Sequence, residues 1–168
     1  MAIGPTLDLA CGRGRHALAA AALGLSVTAV DRNSNSLDEL MTHWRRRSTN
    51  GIGAIETLCA DLEEPPLPPL EARQHGAVLV FNYLHRPLFG WIESLVAPGG
   101  LVLYETFTEA QKTLGWGPQR DAYLLKSGEL PKWFPDLEIV VYEEGLSSDP
   151  RPAQTARLLA RRPVSSLA

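Results

Sequence analysis

The sequence predicts an α/β fold, a mostly parallel sheet with helices on its faces, and three observations carry that prediction. Apolar, β-branched runs alternate with helix-like stretches along all 168 residues. The first such run, "TLDLA", passes directly into "CGRGRHA", a G-x-G turn that opens an alanine-rich helix. No repeat or linker interrupts the alternation, and 45% hydrophobic content over this length suffices for one core, so residues 1–168 are expected to form a single domain.

Each element follows from its residues. "TLDLA", residues 6 to 10, reads as strand one, and "HALAAAALG" as a helix whose C-terminal cap is Gly24. "SVTAVD", residues 26 to 31, is a β-branched strand ending on an acid. "SNSLDELMTHWRRR" places capping residues first, acids early and arginines late, the order a helix dipole favours. "AIETLCAD" is a third strand closing on Asp61, after which prolines at 65, 66, 68 and 69 leave an irregular connection in place of a crossover helix. "AVLVFN" is apolar throughout, as a strand buried on both faces should be, and "RPLFGWIESLVA" is a helix with Pro87 near its start. "APGG" precedes "LVLYET", the fifth strand. Residues 107 to 127, with Gly115, Gly117 and Pro118, form a long, partly helical excursion; a short helix around "SGELPKWF" leads to "LEIVVYEE", a sixth strand. Periodicity leaves open whether "ARLLARR" is a terminal helix or a final strand.

Composition bounds the function. A formal net charge of −3 and a pI near 5.8 argue against a nucleic-acid surface, which turns attention to small-molecule partners. The two cysteines, Cys11 and Cys59, have no metal-ligand spacing and are too few for a disulfide scaffold, which fits a reducing compartment. "GRGRHALAAAALGLSVTAV" superficially copies a secretory signal, but Asp8 stands upstream, Ser26 and Thr28 interrupt it, and Asp31 with Arg32 follow. No run approaches a transmembrane length. The expectation is a soluble cytoplasmic protein that binds neither membrane nor nucleic acid; a homo-oligomer stays compatible with the sequence.

The glycine turn poses a chemical question, because a carboxylate sits just before it. In a dinucleotide site the glycine amides and helix N-terminus face a pyrophosphate, which Asp8 would repel. A ligand with a cationic amino-acid end suits Asp8 better, and the nucleoside that joins an adenosine ribose to such an end is S-adenosylmethionine. A nicotinamide-dependent oxidoreductase is thereby disfavoured, while a noncatalytic cofactor-binding module stays open.

At these residues the chain resembles the class I S-adenosylmethionine-dependent methyltransferases. "LDLACGRG" resembles their first motif, "VTAVD" the second-strand motif whose acid takes the ribose hydroxyls, "CADL" the third-strand adenine contact, and "APGG" a frequent lead into strand five. More narrowly, "FNYLHRPLF", "LYETFT" and "GEL" are similar to small bacterial proteins grouped with the tellurite-resistance methyltransferases. The resemblance implies a Rossmann-like sandwich whose last strand runs antiparallel.

It also implies roles. Asp31 would accept both ribose hydroxyls, while Gly12 and Gly14 let the backbone approach the methionine moiety, flanked by Ala10, Cys11 and Arg13. Asp8 would act near the amino-acid end, or else cap the following helix. Asp61 and Leu62 would read the adenine, Arg32 would stack on its other face, and Asn82 with Tyr83 would border the sulfonium. His85 and Arg86 are the catalytic candidates, able to hold an anion or take a proton, with His16 a second possibility for base work. Tyr104, Glu105 and Thr106 are expected to line the same pocket. The N-P-P-Y/F motif for amide or amino acceptors is replaced here by "FNYLH", so DNA adenine and protein glutamine methylation are not expected. The acceptor is expected to be a small molecule, a soft chalcogen oxyanion or a thiol. Similar methyltransferases carry lid helices ahead of strand one, which "MAIGP" cannot supply, so an open site is expected unless the 107–127 excursion or another subunit covers it.

Overall fold

The computed structural model describes residues 4–47, 53–148 and 151–164. Its centre is a seven-stranded sheet of β1 (Thr6–Leu9), β2 (Ser26–Asp31), β3 (Ala54–Cys59), β4 (His75–Phe81), β5 (Val96–Phe107), β6 (Glu138–Ser147) and β7 (Ala153–Arg161), in the order β3-β2-β1-β4-β5-β7-β6. The first five are parallel, and β7 pairs antiparallel with both β5 and β6. All but the last residue of "ARLLARR" therefore lies within a strand, β7. Strand order reverses between β1 and β4, and a crevice opens at that point outside the carboxyl ends of parallel strands.

Helices α1 (Arg15–Ala22) and α2 (Ser34–Arg47) pack on one face, while α3 (Phe89–Leu95) packs on the other. Alternation along β1 sorts the side chains: Leu7 and Leu9 enter the larger core with Val30, Val78 and Val80, all at most 1% exposed. Asp8 lies on the opposite face, in register with Ala29 and Leu79. There Ala17, Ala20, Ala21 and Leu40 form the smaller core with Val27, Ala29 and Ile55. The alanines of α1 have strong helix propensity and are small enough to seat the helix against the sheet. The helix ends as expected: Gly24 adopts φ +90, its N–H donates to the Ala21 carbonyl and the Leu25 N–H donates to that of Ala20.

Several boundaries differ from the sequence reading. In α2 the first turn holds no acid; Asp38 and Glu39 come one turn later, and capping falls to Asn33, whose Oδ1 accepts from the Ser36 N–H. The helix expected over 86–97 is a 3₁₀ turn, Arg86–Leu88, followed by the short α3, because Val96 already pairs with His75. Strand five accordingly starts before "APGG", with a register shift opposite His75 and Ala77 absorbing the glycines. The 107–127 excursion contains 3₁₀ turns at Glu109–Leu114 and Asp121–Tyr123, and the helix expected near "SGELPKWF" is a third, Leu130–Trp133.

Candidate active site

The carboxyl ends of β1, β2, β3 and β4 bring together most of the residues singled out in the sequence. Three adjoining recesses lie there. The first, about 360 Å³, is lined by Asp31, Arg32, Asp61, Leu62, Asn82 and Tyr83 among others. The second, about 270 Å³, lies over the glycine turn among Asp8, Gly12, Arg13, Arg15, His16 and Phe81, and shares Ala10 and Asn82 with the first. The third, about 190 Å³, extends past Tyr83 to Thr106, Phe107, Pro118 and Tyr123, and shares Glu63, Asn82, Tyr83 and Tyr123 with the first. The excursion after β5 thus supplies a wall of the third recess through Pro118 and Tyr123.

Asp31 anchors the crevice. Its Oδ2 accepts from the Gly12 N–H at 2.7 Å and its Oδ1 from the Asn33 N–H at 2.8 Å, which fixes the carboxylate plane at the end of β2. Gly12, at φ +54, would meet nothing within 4 Å were a Cβ added, so its missing side chain leaves open space over the turn. Gly14, at φ +72, is different: a Cβ there would lie 2.4 Å from Leu40, so this glycine serves close helix packing. Ala10 and Asn82 also hold the left-handed conformation, at φ 53 and 55, each just past its strand.

Asp8 has both of the roles considered for it within reach. Its Oδ2 accepts from the Ala17 N–H at 2.9 Å, capping α1 where Gly14 has no side chain to do so, and the residue also lines the second recess. Burial raises its carboxyl to about 7, the Ala17 bond opposes the shift, and nearby Asp31 adds to it. Burial likewise pushes the Cys11 thiol up, leaving it an inert neighbour of the turn. His16 stacks on Phe81 with ring centroids 3.6 Å apart; burial and then Arg15 lower it to about 4, so at neutral pH the ring is uncharged.

On the other flank Arg32 Nη1 lies 3.6 Å from Asp61 Oδ2, and Asp61 Oδ1 accepts from the Glu63 N–H at 2.9 Å. Arg13 is paired with Glu39 at 2.9 Å. Leu62 is 5% exposed, a buried apolar floor.

The acceptor-side candidates are placed differently. Neither His85 nor Arg86 lines the three recesses. The Arg86 guanidinium is spent on Glu129 and on two backbone carbonyls. Of "YET" in β5, only Thr106 reaches the third recess: Tyr104 is 1% exposed with its hydroxyl donating to the Tyr83 carbonyl at 2.9 Å, and Glu105 lies 4.0 Å from Arg157 on the sheet's other face. Alternation turns Glu105 to the far face, while Tyr104, on the same face as Thr106, is taken up in the larger core. Sequence reading did not single out Arg15, Glu63, Phe81, Phe107, Pro118 or Tyr123. Glu63 and Arg15 each stand within two residues of a motif position, a proximity signal, whereas Pro118 and Tyr123 arrive from an excursion that carries none.

Among the described residues no group of three or more His, Cys, Asp or Glu is placed to hold a metal, and no helix is long and apolar enough to cross a membrane.

Residues 6–100 match the family model described as a methyltransferase domain. No curated protein matches the sequence. Among solved structures, the fold is similar to TehB from Haemophilus influenzae, with TM-score 0.74 and 21% identity over 96% of this chain. The chain spans only 58% of that protein's length. It is also similar to a SAM-dependent methyltransferase from Methanosarcina mazei, with TM-score 0.72, 15% identity, and 96% and 93% of the two chains covered. A third similar structure concerns conversion of a disulfide bond into a thioacetal group during echinomycin biosynthesis, with TM-score 0.71, 17% identity, and 98% and 77% covered. With a family model spanning more than half its length, the chain belongs to the methyltransferase-domain family, and its fold is that of the S-adenosylmethionine-dependent methyltransferases to which it is similar.

Proposed function

We propose that this chain methylates a small thiol held in the recess between Tyr83 and Tyr123. One observation carries the choice of acceptor: the residues lining that recess include the carboxylate of Glu63 and no cation. An oxyanion acceptor needs a positive partner when it leaves water. Arg86, which the sequence offered for that purpose, is bound to Glu129.

The crevice suits S-adenosylmethionine. Open space above Gly12 makes room for the methionine chain, and the fixed carboxylate of Asp31 keeps lone pairs for two ribose hydroxyls. Asp61 would accept from the adenine amine over Leu62, with Arg32 against the other purine face. Asp8 would meet the ammonium end and Arg15 the carboxylate, with Arg13, held on Glu39, flanking the turn. Ala10, Cys11 and Gly14 shape the turn, and Asn82 with Tyr83 borders the sulfonium. When bound, this cofactor supplies an electrophilic methyl group.

The chain's own contribution is position and exclusion of water. Burial holds the Tyr83 phenol above its ordinary range, so it stays protonated and acts only by hydrogen bonding and packing. Glu63 is placed to take the proton that a thiol gives up as its sulfur attacks. No stronger base is required, because the thiol proton becomes strongly acidic as the sulfur bonds to the methyl carbon, so a carboxylate suffices to take it in the same step.

The test is release of S-adenosylhomocysteine over matched panels of small alkyl and aryl thiols, chalcogen oxyanions and carboxylates. Turnover on thiols is expected. Turnover confined to oxyanions would overturn the acceptor assignment, and tight cofactor binding without product on any panel would favour a noncatalytic module.

A further inference from the structure

Arg86 follows β4 by only a few residues, yet its side chain does not enter the crevice that β4 helps form. It reaches instead into the excursion. Nε donates to Glu129 Oε1 at 2.6 Å and Nη2 to Oε2 at 2.9 Å, a two-pronged pairing, while Nη1 donates to the Ala122 carbonyl at 3.1 Å and Nη2 to that of Leu124 at 2.8 Å. Four of the five guanidinium N–H groups are therefore used. Glu129 is saturated as well: its Oε2 accepts from the Lys126 N–H at 2.7 Å and its Oε1 from Trp133 Nε1 at 3.0 Å. Burial alone would raise the Glu129 carboxyl, but these bonds outweigh it and hold it at about 2.

The two carbonyls gripped by Arg86 flank Tyr123, the residue that walls both the first and the third recess. Tyr123 is itself 44% exposed and is carried on a 3₁₀ turn of three residues. The chain just after it is anchored by the buried Leu124 and Leu125 and by the Leu125 backbone pairing with Phe107 and Glu109, so the bonds from Arg86 to the Ala122 and Leu124 carbonyls are the side-chain holds on either side of Tyr123 itself. The ion pair on the outer side of that turn, Lys112 with Asp121, is exposed. By contrast the Arg86–Glu129 side chains are only 28% and 14% exposed, where screening is weak and loss of one partner strands the other.

We propose that Arg86 and Glu129 form a clasp that sets Tyr123 in place as a wall of the acceptor recess. Arg86 is then a positioning residue: it fixes where the acceptor sits without touching it. The proposal rests on reading the third recess as the acceptor site. A lysine cannot replace the arginine here, since one ammonium cannot hold both carboxylate oxygens and two carbonyls in the geometry of a planar fork.

The experiment compares Arg86→Lys, Glu129→Gln, Tyr123→Ala and the double variant Arg86→Lys/Tyr123→Ala with the parent, and uses Lys112→Gln as a control. Hydrogen exchange of the amides from 120 to 126 reads the clasp without any turnover. Steady-state kinetics with thiophenol as the probe acceptor, at saturating S-adenosylmethionine, reads its consequence. Arg86→Lys and Glu129→Gln are expected to speed exchange in 120–126 at least tenfold and to raise the KM for the thiol at least fivefold, with kcat within threefold. Lys112→Gln is expected to change neither. In the Tyr123→Ala background, Arg86→Lys is expected to add less than a twofold further change in KM, because the wall it positions is gone. Unchanged exchange in both clasp variants overturns the proposal. Fully independent effects of Arg86→Lys and Tyr123→Ala on KM overturn the route through Tyr123. Absence of thiol turnover in the parent defeats the acceptor reading alone, and the exchange result still decides whether the clasp exists.

Discussion

The Asp31 carboxylate accepts the Gly12 backbone N–H at 2.7 Å across 19 residues of chain, tying the end of β2 to the turn that follows β1. This bond means that Asp31 shapes the crevice before any ligand arrives. Its second oxygen is held at 2.8 Å by the Asn33 N–H, so neither oxygen is free to swing. Such preorganisation lowers the ordering cost of a ligand that hydrogen-bonds there.

Asp31→Asn is expected to weaken S-adenosylmethionine binding by about 1.5–3 kcal/mol, because charge-assisted bonds become neutral ones and one backbone N–H loses its acceptor. The melting temperature should fall as well. Titration calorimetry beside a thermal melt checks both, and unchanged affinity in a folded variant would remove Asp31 from the site.

Gly12 and Gly14 look equivalent in the sequence and should respond oppositely to alanine. Gly14→Ala drives a methyl group to within 2.4 Å of the Leu40 side chain, which is 0% exposed and cannot yield cheaply. A loss of about 2–4 kcal/mol in unfolding free energy is expected from overpacking plus left-handed strain. Gly12→Ala meets open space, so only the strain of about 1 kcal/mol should appear in stability. Its methyl group stands over the turn instead, and cofactor affinity should drop at least tenfold. Denaturant melts and calorimetry on the two variants separate packing from binding.

The same distinction shows what could be read from the sequence. Periodicity and glycine punctuation located the strands and α2, and the acids at the ends of β2 and β3 did come together at the strand-order reversal, because strand ends in a parallel sheet are neighbours by construction. Side chains beyond a strand end are another matter. Arg86 was legible as a cation next to the site, but its direction depends on Glu129, 43 residues later, in a segment without periodicity. Tyr123 carried no signal for the same reason. The closing strand was undecidable from "ARLLARR" alone, since its pairing with β5 and β6 is entirely long-range.

His85 tests the acceptor side from a different direction. It is half-buried and lines none of the three recesses. His85→Ala is therefore expected to keep thiol turnover within twofold, whereas Glu63→Gln should lower kcat at least tenfold. A tenfold loss in His85→Ala with cofactor affinity intact would restore the histidine to the chemistry.

Asp8 offers the sharpest pH signature. Its carboxyl moves from 3.8 to about 7 on folding, chiefly through burial, so the folded state holds its proton more tightly than the unfolded chain does. Between those two values the native protein binds more protons than the unfolded one, and stability must fall as pH rises. The contribution is fully present below pH 3.8 and is lost once pH passes about 7, which amounts to roughly 4 kcal/mol by linkage. Asp8→Asn keeps an oxygen for the Ala17 N–H but cannot ionise, so its advantage in stability over the parent should be small at pH 4 and grow until about pH 7. Function should move the other way. An ammonium group beside Asp8 favours the carboxylate, so cofactor binding to the parent below pH 7 should expel a proton and tighten as pH rises, by up to tenfold per unit. The groups that face it are Asp31 on β2, Arg13 and Arg15 beside the turn, and His16, whose ring is uncharged. Calorimetry in buffers of different ionisation enthalpy counts the proton directly. Release of close to one proton at pH 6, abolished in Asp8→Asn along with the pH dependence of affinity, is the expected result; equal proton release from both proteins would show that Asp8 only caps α1.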